Sequence, residues 1–524
     1  MRRIVKRELR IVKGGSGFHH SPFTISSLDD LDGARVTVVG LGRSGVAAAR
    51  FLLKAGARVA GFDENVTTIS SRPVALLKNA GMTMTQRPGT ARADWAVVSP
   101  GISDAHPLVR GLRRRSVPVV DELDLAGRFV RGPVIAVTGT NGKSTTTALI
   151  ARMLERAGNR VFCGGNLAPG RPFSAALLTG RRDFYVVEVS SFQLERAHWL
   201  KPKVAVILNI APDHLNRHRT VQRYAECKFG MLDRQDSEDH AVLNQDDALV
   251  RAAAGRGAAA KHFFSLRRRT ADAYLSAGYL WSHGDKVLSV DAVRLPGKHN
   301  LQNCLAAIAA VRLLGVGMPP IRSVLRTFAG LPHRLEFVRR LRGVDYINSS
   351  MTTNPVAGAR SLEAVAMMKG KVPRGNEQVR TPNFAISTYP LCRMKGKVPR
   401  GNEQVRTPNF AISTYPLCRR RVILIAGGRE KALPTGEYAR AMKKYAKWVL
   451  LVGESSARLA RELSALGFRR YDTLPDLRAA VAAASAKATA GDAVLFAPGF
   501  ASFDQFKDFE ARGEAFRREV SNLG

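Results

Sequence analysis

The chain has 524 residues, 45% hydrophobic and 24% charged, the balance of a globular protein with room for about three domains. It carries no apolar run long enough to span a membrane and opens on no leader pattern, so the sequence predicts a soluble cytoplasmic protein. The 81 Lys and Arg against 43 Asp and Glu give a net charge of +38, yet the basic residues are dispersed and interleave with no aromatic platform, so no nucleic-acid partner is expected.

Residues 1–32 read as a basic extension; the first fifteen carry six Lys or Arg and one Glu. A first unit follows over 33–125. The strand Arg35–Val39 runs into Gly40-Leu41-Gly42-Arg43-Ser44-Gly45, a helix is predicted over 46–55, and a second strand over 56–62 ends in Asp63. This is a dinucleotide-type fingerprint, with glycines for a tight turn and an acid about 20 residues on. NAD is its obvious ligand, although any pyrophosphate suits the turn. A third strand, Trp95–Val98, ends in Ser99-Pro100-Gly101, whose backbone donors could also meet phosphate.

The segment 126–333 holds the strongest local signal. A β-branched run from Val134 ends in Thr138-Gly139-Thr140-Asn141-Gly142-Lys143-Ser144-Thr145, and a helical pattern follows. Strand, glycine turn and helix start aim backbone N–H groups and the helix dipole at an anion. Lys143 would reach the β- and γ-phosphates and the Ser144 hydroxyl would hold Mg²⁺, although Val137 stands where the usual first glycine belongs. The strand 184–189 places Glu188 just before Ser190, a position for a magnesium ligand. The buried strand 204–209 leads to Asp213 and His214, at the carboxyl edge where α/β sheets bind ligands. Alternating strands and helices predict a mostly parallel sheet covered on both faces. The five cysteines (Cys163, Cys227, Cys304, Cys392, Cys418) are scattered with no CxxC pair, which favours reduced thiols over disulfides or zinc.

Several motifs in one order resemble the Mur ligase family of peptidoglycan synthesis. They are the loop 138–144, Gly164-Gly165-Asn166, the segment 188–195, Asn209 with Asp213-His214, the segment 297–303 and Leu331-Pro332-His333-Arg334. The tail 497–513 narrows the resemblance to the glutamate-adding branch. The resemblance implies an α/β fold of three domains: Rossmann-like, P-loop-type ATPase and Rossmann-like, over 33–125, 126–333 and 334–524. It implies an ADP-forming amide ligase that uses ATP and two Mg²⁺ ions. The substrates would be UDP-N-acetylmuramoyl-L-alanine and glutamate, with the D enantiomer and a monomer expected.

The same resemblance implies roles by residue. Gly40–Gly45, Asp63 and Ser99–Gly101 would hold the UDP end of the precursor. Gly139–Thr145, His299, Asn300, Asn303 and Arg334 would contact nucleotide. Glu188 and His214 would serve magnesium, and Lys228 would do so as a carbamate, with a plain lysine as the alternative. Asn166, Ser190 and Gln193 would lie near precursor or metal. Thr353, Lys431, Ser502 and Phe509 would shape the glutamate pocket.

Two departures stand out. The family usually has an acid where Ser349 stands and a lysine where Met351 stands, and losing both could cost roughly several kcal/mol of binding or transition-state stabilisation. They motivate a second reading, a catalytically impaired precursor-binding homologue. A related ligase charging folate is disfavoured by the glycine fingerprint with Asp63 and by the tail. Residues 368–393 also recur unchanged as 394–419. Identity over such a length, without helical or alternating period, reads as a duplicated, disordered surface loop rather than a solenoid, with a partner-binding arm as the alternative.

Overall fold

A computed structural model of the chain describes residues 27–85, 92–167, 170–295, 297–367, 421–430 and 434–524. The expectations for the basic arm before residue 27, for the repeat 368–419 and for Lys431 lie outside the described residues. Met1–Phe328 forms one compact unit and Ala329–Gly524 a second. Among the described residues no helix is long and apolar enough to cross a membrane.

The first unit holds two sheets. One has the order β3-β2-β1-β4-β5, from β1 (Arg35–Val39), β2 (Arg58–Phe62), β3 (Thr83–Met84), β4 (Trp95–Val98) and β5 (Val119–Val120). All its pairings are parallel. The helix after β1 spans Arg43–Lys54, three residues earlier at its start than the sequence predicts. The last glycine of the fingerprint therefore lies inside the helix. A Cβ at Gly45 would meet the Gly40 carbonyl oxygen at 1.8 Å, so only glycine lets the helix approach the turn this closely.

The second sheet has nine strands. They are β6 (Val134–Thr138), β7 (Val161–Gly165), β8 (Phe184–Glu188), β9 (Val204–Ile207), β10 (His240–Asn244), β11 (Ala260–Ser265), β12 (Ala273–Ser276), β13 (Tyr279–Ser282) and β14 (Asp285–Ser289). Their order is β14-β13-β12-β11-β10-β9-β6-β8-β7. The run from β7 to β12 is parallel, and β13 and β14 close it as antiparallel strands. Every residue of β6 is buried. Ile135 and Val137 pack into a core with Leu149, Met153 and Leu305, whereas Val134 and Ala136 pack into another with Tyr224 and Phe229. Burial on both faces is why this strand reads as a continuous apolar run.

Buried polar contacts tie the first sheet's last helix, Glu122–Phe129, to the second sheet's surroundings. The Asp124 carboxylate accepts N–H bonds from His198, Trp199 and Leu200 at 2.8, 2.5 and 3.1 Å. Burial pushes the neighbouring Glu122 carboxyl up to about 7.

The second unit carries one sheet of β15 (Glu336–Leu341), β16 (Val344–Asn348), β17 (Val422–Ala426), β18 (Ala446–Leu451), β19 (Tyr471–Thr473) and β20 (Ala493–Phe496). The order is β15-β16-β20-β17-β18-β19, with β15 alone antiparallel. The helix Pro355–Ala366 starts where it does because the Asn354 side chain accepts the Ala357 N–H at 2.8 Å and Pro355 opens the first turn.

Candidate functional site

The loop between β6 and the helix Lys143–Arg156 is built for a tight anion cradle. Gly139 has φ 149° and Gly142 has φ 87°, values that L side chains rarely adopt. A Cβ at Gly142 would also lie 2.2 Å from Asn303 Oδ1. Asn209, just past β9, clamps the loop. Its carbonyl accepts from Thr140 N at 2.9 Å, its Oδ1 accepts from Asn141 N at 2.9 Å, and its Nδ2 donates to the Asn141 carbonyl at 3.0 Å. Lys143 Nζ folds over the loop and donates to the carbonyls of Gly139 and Thr140 at 3.1 and 2.9 Å. Ser144 and Thr145 are buried in the first helical turn. Backbone donors, dipole and ammonium thus converge where phosphate binds best.

Beside this loop lies a buried acid. Glu188, at the end of β8, is 3% exposed. Its Oε1 accepts from Asn166 Nδ2 at 3.1 Å, while its Oε2 is buried with no hydrogen-bond partner among the described residues. Asp121, Glu122, Asp124 and Glu462 have carboxylate oxygens in the same state, but Glu188 stands in register with Val137 beside the glycine loop, where a hard cation would satisfy it. The residues present therefore fit a magnesium ion. Lys228, from the helix Val221–Asp233, is 1% exposed. Its Nζ reaches Thr138 Oγ1 at 3.3 Å and lies 4.6 Å from the centroid of the Tyr224 ring. Burial, with the charge of Lys143 next, pushes its pKa down to about 7.

His214 completes the group at the carboxyl edge of the sheet. It adopts φ 51° as the cap of the short helix Leu215–His218, and its ring lies 4.7 Å from that of Phe192. Burial lowers its pKa, and the charges of Lys143 and Lys228 lower it further against the opposing pull of Asp213.

Ser190 and Gln193 form a reciprocal capping box on the short helix Ser191–Leu194. Ser190 Oγ accepts from Gln193 N, and Gln193 Oε1 accepts from Ser190 N at 3.0 Å. The S-x-x-Q spacing carries this structural signal in the sequence, and the sequence reading passed over it. Asn300, Asn303 and His299 sit at the start of the helix Lys298–Leu313. Asn303 Nδ2 donates to Asn300 Oδ1 at 3.2 Å, and burial lowers the pKa of His299.

In the first sheet, Gly40 has φ 89°, and a Cβ there would lie 2.7 Å from Ser99 Cβ, so the two turns touch. Asp63 braces the glycine turn: its carboxylate accepts Leu41 N at 2.7 Å and Asn65 N at 2.8 Å. Arg43 in the following helix donates to the Gly170 carbonyl. Two arginines that the sequence reading missed tie the second turn to the phosphate-loop sheet. Arg196, buried, donates to Asp104 Oδ1 and the Ile102 carbonyl, each at 2.6 Å, and Arg217 donates to the Pro100 carbonyl at 3.2 Å.

In the second unit, Arg334 stands between His333 and Leu335, both with positive φ. Ser349 is buried, and its hydroxyl contacts Thr352 Oγ1 at 3.0 Å and Ser361 Oγ at 3.4 Å. Met351 N donates to the His333 carbonyl at 3.0 Å. Thr353 follows β16, Ser502 is buried after β20, and Phe509 opens the helix Phe509–Ser521. Arg512 joins these segments. It donates to Ser350 Oγ at 3.2 Å and to the Ser350 carbonyl at 2.9 Å, and burial pushes its pKa down to about 10. The structure thus gathers the loop, Asn166, Glu188, His214 and Lys228 around one sheet edge, and places Thr353, Ser502 and Phe509 on separate segments of the second unit.

Comparison with known proteins follows the same division. The family "Mur ligase MurD-like, N-terminal domain" matches residues 34–121, "Mur ligase middle domain" matches 137–311, and "Mur ligase, glutamate ligase domain" matches 410–500. The UDP-N-acetylmuramoylalanine–D-glutamate ligase of Pelotomaculum thermopropionicum is 37% identical over 95% of this chain and 99% of its own. The protein of the same name from Caldanaerobacter subterraneus is 33% identical over 94% and 99%. Among solved structures, the UDP-N-acetylmuramate–alanine ligase of Thermotoga maritima superposes with a TM-score of 0.56 at 19% identity, covering 93% of this chain and 99% of that one, a likeness of fold. With relatives of this identity matched over nearly their whole length, the chain belongs to the Mur ligase family.

Proposed function

We propose that the protein is an ATP-dependent ligase that adds D-glutamate to UDP-N-acetylmuramoyl-L-alanine in the cytoplasm, acting as a monomer. The precursor's terminal carboxylate attacks the γ-phosphorus of ATP, and ADP leaves. The glutamate amine then attacks the acyl carbon of the acyl phosphate, loses a proton, and phosphate departs as the amide forms. Two anions must meet in the first step, so the protein has to supply positive field and position more than covalent chemistry.

The buried, unpartnered Glu188 Oε2 beside the Lys143 loop carries this reading. Magnesium there would neutralise phosphate charge, held by Ser144 and Glu188 at one site and by His214 and Lys228 at a second. Lys228 fits a carbamate. A pKa near 7 leaves much of the buried amine neutral at neutral pH, and only the neutral amine attacks CO₂. The new N–C bond forms as the nitrogen loses one proton to solvent, which turns the neutral amine into an anion.

Backbone donors of Gly139–Thr145 would hold the triphosphate, with His299, Asn300, Asn303 and Arg334 around the nucleotide. The turns Gly40–Gly45 and Ser99–Gly101, with Asp63, would hold the UDP end, while Asn166, Ser190 and Gln193 order the metal side. Thr353, Lys431, Ser502 and Phe509 would receive glutamate. The homologue without turnover rests on Ser349 and Met351 alone and is not favoured. Phosphate release with the precursor and each glutamate enantiomer tests the proposal. Magnesium-dependent release with D-glutamate is expected, and precursor binding without release would contradict it.

A further inference from the structure

A second cluster of ligating atoms lies behind the proposed magnesium site. Glu195, His218 and Cys227 each offer one atom, and the three atoms lie within 4.8 Å of one another. His218 Nδ1 is 3.3 Å from Glu195 Oε1 and 3.7 Å from Cys227 Sγ. Tetrahedral zinc with ordinary bond lengths has N–O edges of about 3.3 Å and N–S edges of about 3.6 Å. The two edges that meet at His218 Nδ1 therefore match those of such a site, and the Glu195 and Cys227 atoms lie within 4.8 Å of each other.

The surroundings fix each ligand as a metal would need it. His218 is buried, and its Nε2 lies 2.9 Å from Ser191 Oγ. A ring that donates Nε2–H to Ser191 presents the Nδ1 lone pair to Glu195 and Cys227, the outer-shell arrangement that orients metal-bound histidine. The ring is also held between Phe192 and Tyr224, with centroids 5.7 and 5.3 Å away. Arg217 holds the carboxylate mainly through Oε2, with Nη2 at 2.6 Å and Nε at 3.0 Å, while Oε1 lies 3.3 Å from both Arg217 Nε and His218 Nδ1. Glu195 and Cys227 are only partly buried, so solvent reaches the fourth corner.

We propose that Glu195, His218 and Cys227 form a zinc site, with a water molecule as fourth ligand. Binding forms the Zn–S bond as the thiol proton passes to solvent. The ion would staple three segments: the one after the helix Ser191–Leu194, the helix Leu215–His218, and the helix Val221–Asp233 that carries Lys228. It would thereby set the framework of the phosphate-side residues without entering their chemistry. The inference does not depend on the ligase reading.

Cobalt is the probe, because cobalt bound to thiolate gives a charge-transfer band and tetrahedral cobalt gives intense visible absorption. The reduced, chelator-treated full chain is titrated with Co²⁺, then with Zn²⁺. One equivalent of cobalt with a thiolate band, displaced by zinc, is expected. Cys227→Ser should abolish the band and weaken zinc binding by more than about 100-fold, and Ser191→Ala should keep the band but weaken binding about tenfold. A triple Cys163→Ser, Cys392→Ser, Cys418→Ser variant should keep the band. No thiolate band in the native protein would overturn the proposal, as would a band that survives Cys227→Ser or disappears with the triple variant.

Discussion

The phosphate-loop sheet and the second unit treat charge in opposite ways. Around the loop, Lys143, Glu188, His214 and Lys228 stay close, with one carboxylate oxygen left unpartnered and one lysine pushed down to about 7. In the second unit, Ser349 and Met351 stand where the resemblance implies an acid and a lysine, and the Ser349 hydroxyl contacts those of Thr352 and Ser361. One region keeps a buried carboxylate oxygen without a hydrogen bond among the described residues and a lysine shifted by burial. The other has relaxed into ordinary packing. The chemistry is therefore expected to depend steeply on the first region and weakly on the missing pair in the second.

The largest effect sharpens that contrast. Lys143→Ala should lower turnover by at least about 10³-fold, because it removes the ammonium that folds over the loop at Gly139 and Thr140. Glu188→Gln should cost about 10²-fold in turnover. It should also raise the melting temperature of the magnesium-free protein, since a neutral amide replaces a carboxylate with an orphaned oxygen. A lower melting temperature would refute the role assigned to that oxygen.

Lys228 gives the next test. Its folded-state pKa lies below the ordinary lysine value, so the unfolded chain binds a proton that the folded one lacks between about pH 7 and the ordinary lysine pKa. Stability should rise with pH across that window, and Lys228→Met should flatten the slope in chemical denaturation. Isotope-labelled bicarbonate should yield a carbamate signal by NMR in the native protein and none in the variant. The double substitution Ser349→Asp with Met351→Lys should raise turnover by about tenfold if the lost charges limit the rate; a fall would mean the hydroxyl network has become part of the site. The smallest effect is expected from deleting 368–419, which should leave melting temperature and turnover almost unchanged, since its sequence carries no helical or alternating period.

Much of this was legible in the chain. Apolar runs announced β6, β8 and β9 because parallel strands are buried on both faces. The glycines at 139 and 142 announced the loop because positive φ leaves few other choices. What stayed hidden was contact between residues distant in sequence. Nothing in the spacing places Asn209 on the loop, Arg196 against Asp104, or Arg512 against Ser350. The scattered cysteines argued against zinc by the same logic, since a site made of Glu195, His218 and Cys227 has no motif spacing to read. The helix start at Arg43 was set by the close approach of Gly45 to Gly40, a tertiary constraint.

Calorimetric titration of ATP into the purified protein, with and without magnesium, tests the central claim most directly. The account predicts binding that strengthens markedly with magnesium and that weakens in both Lys143→Ala and Glu188→Gln. Affinity for ATP indifferent to magnesium, or unchanged by those two substitutions, would contradict it.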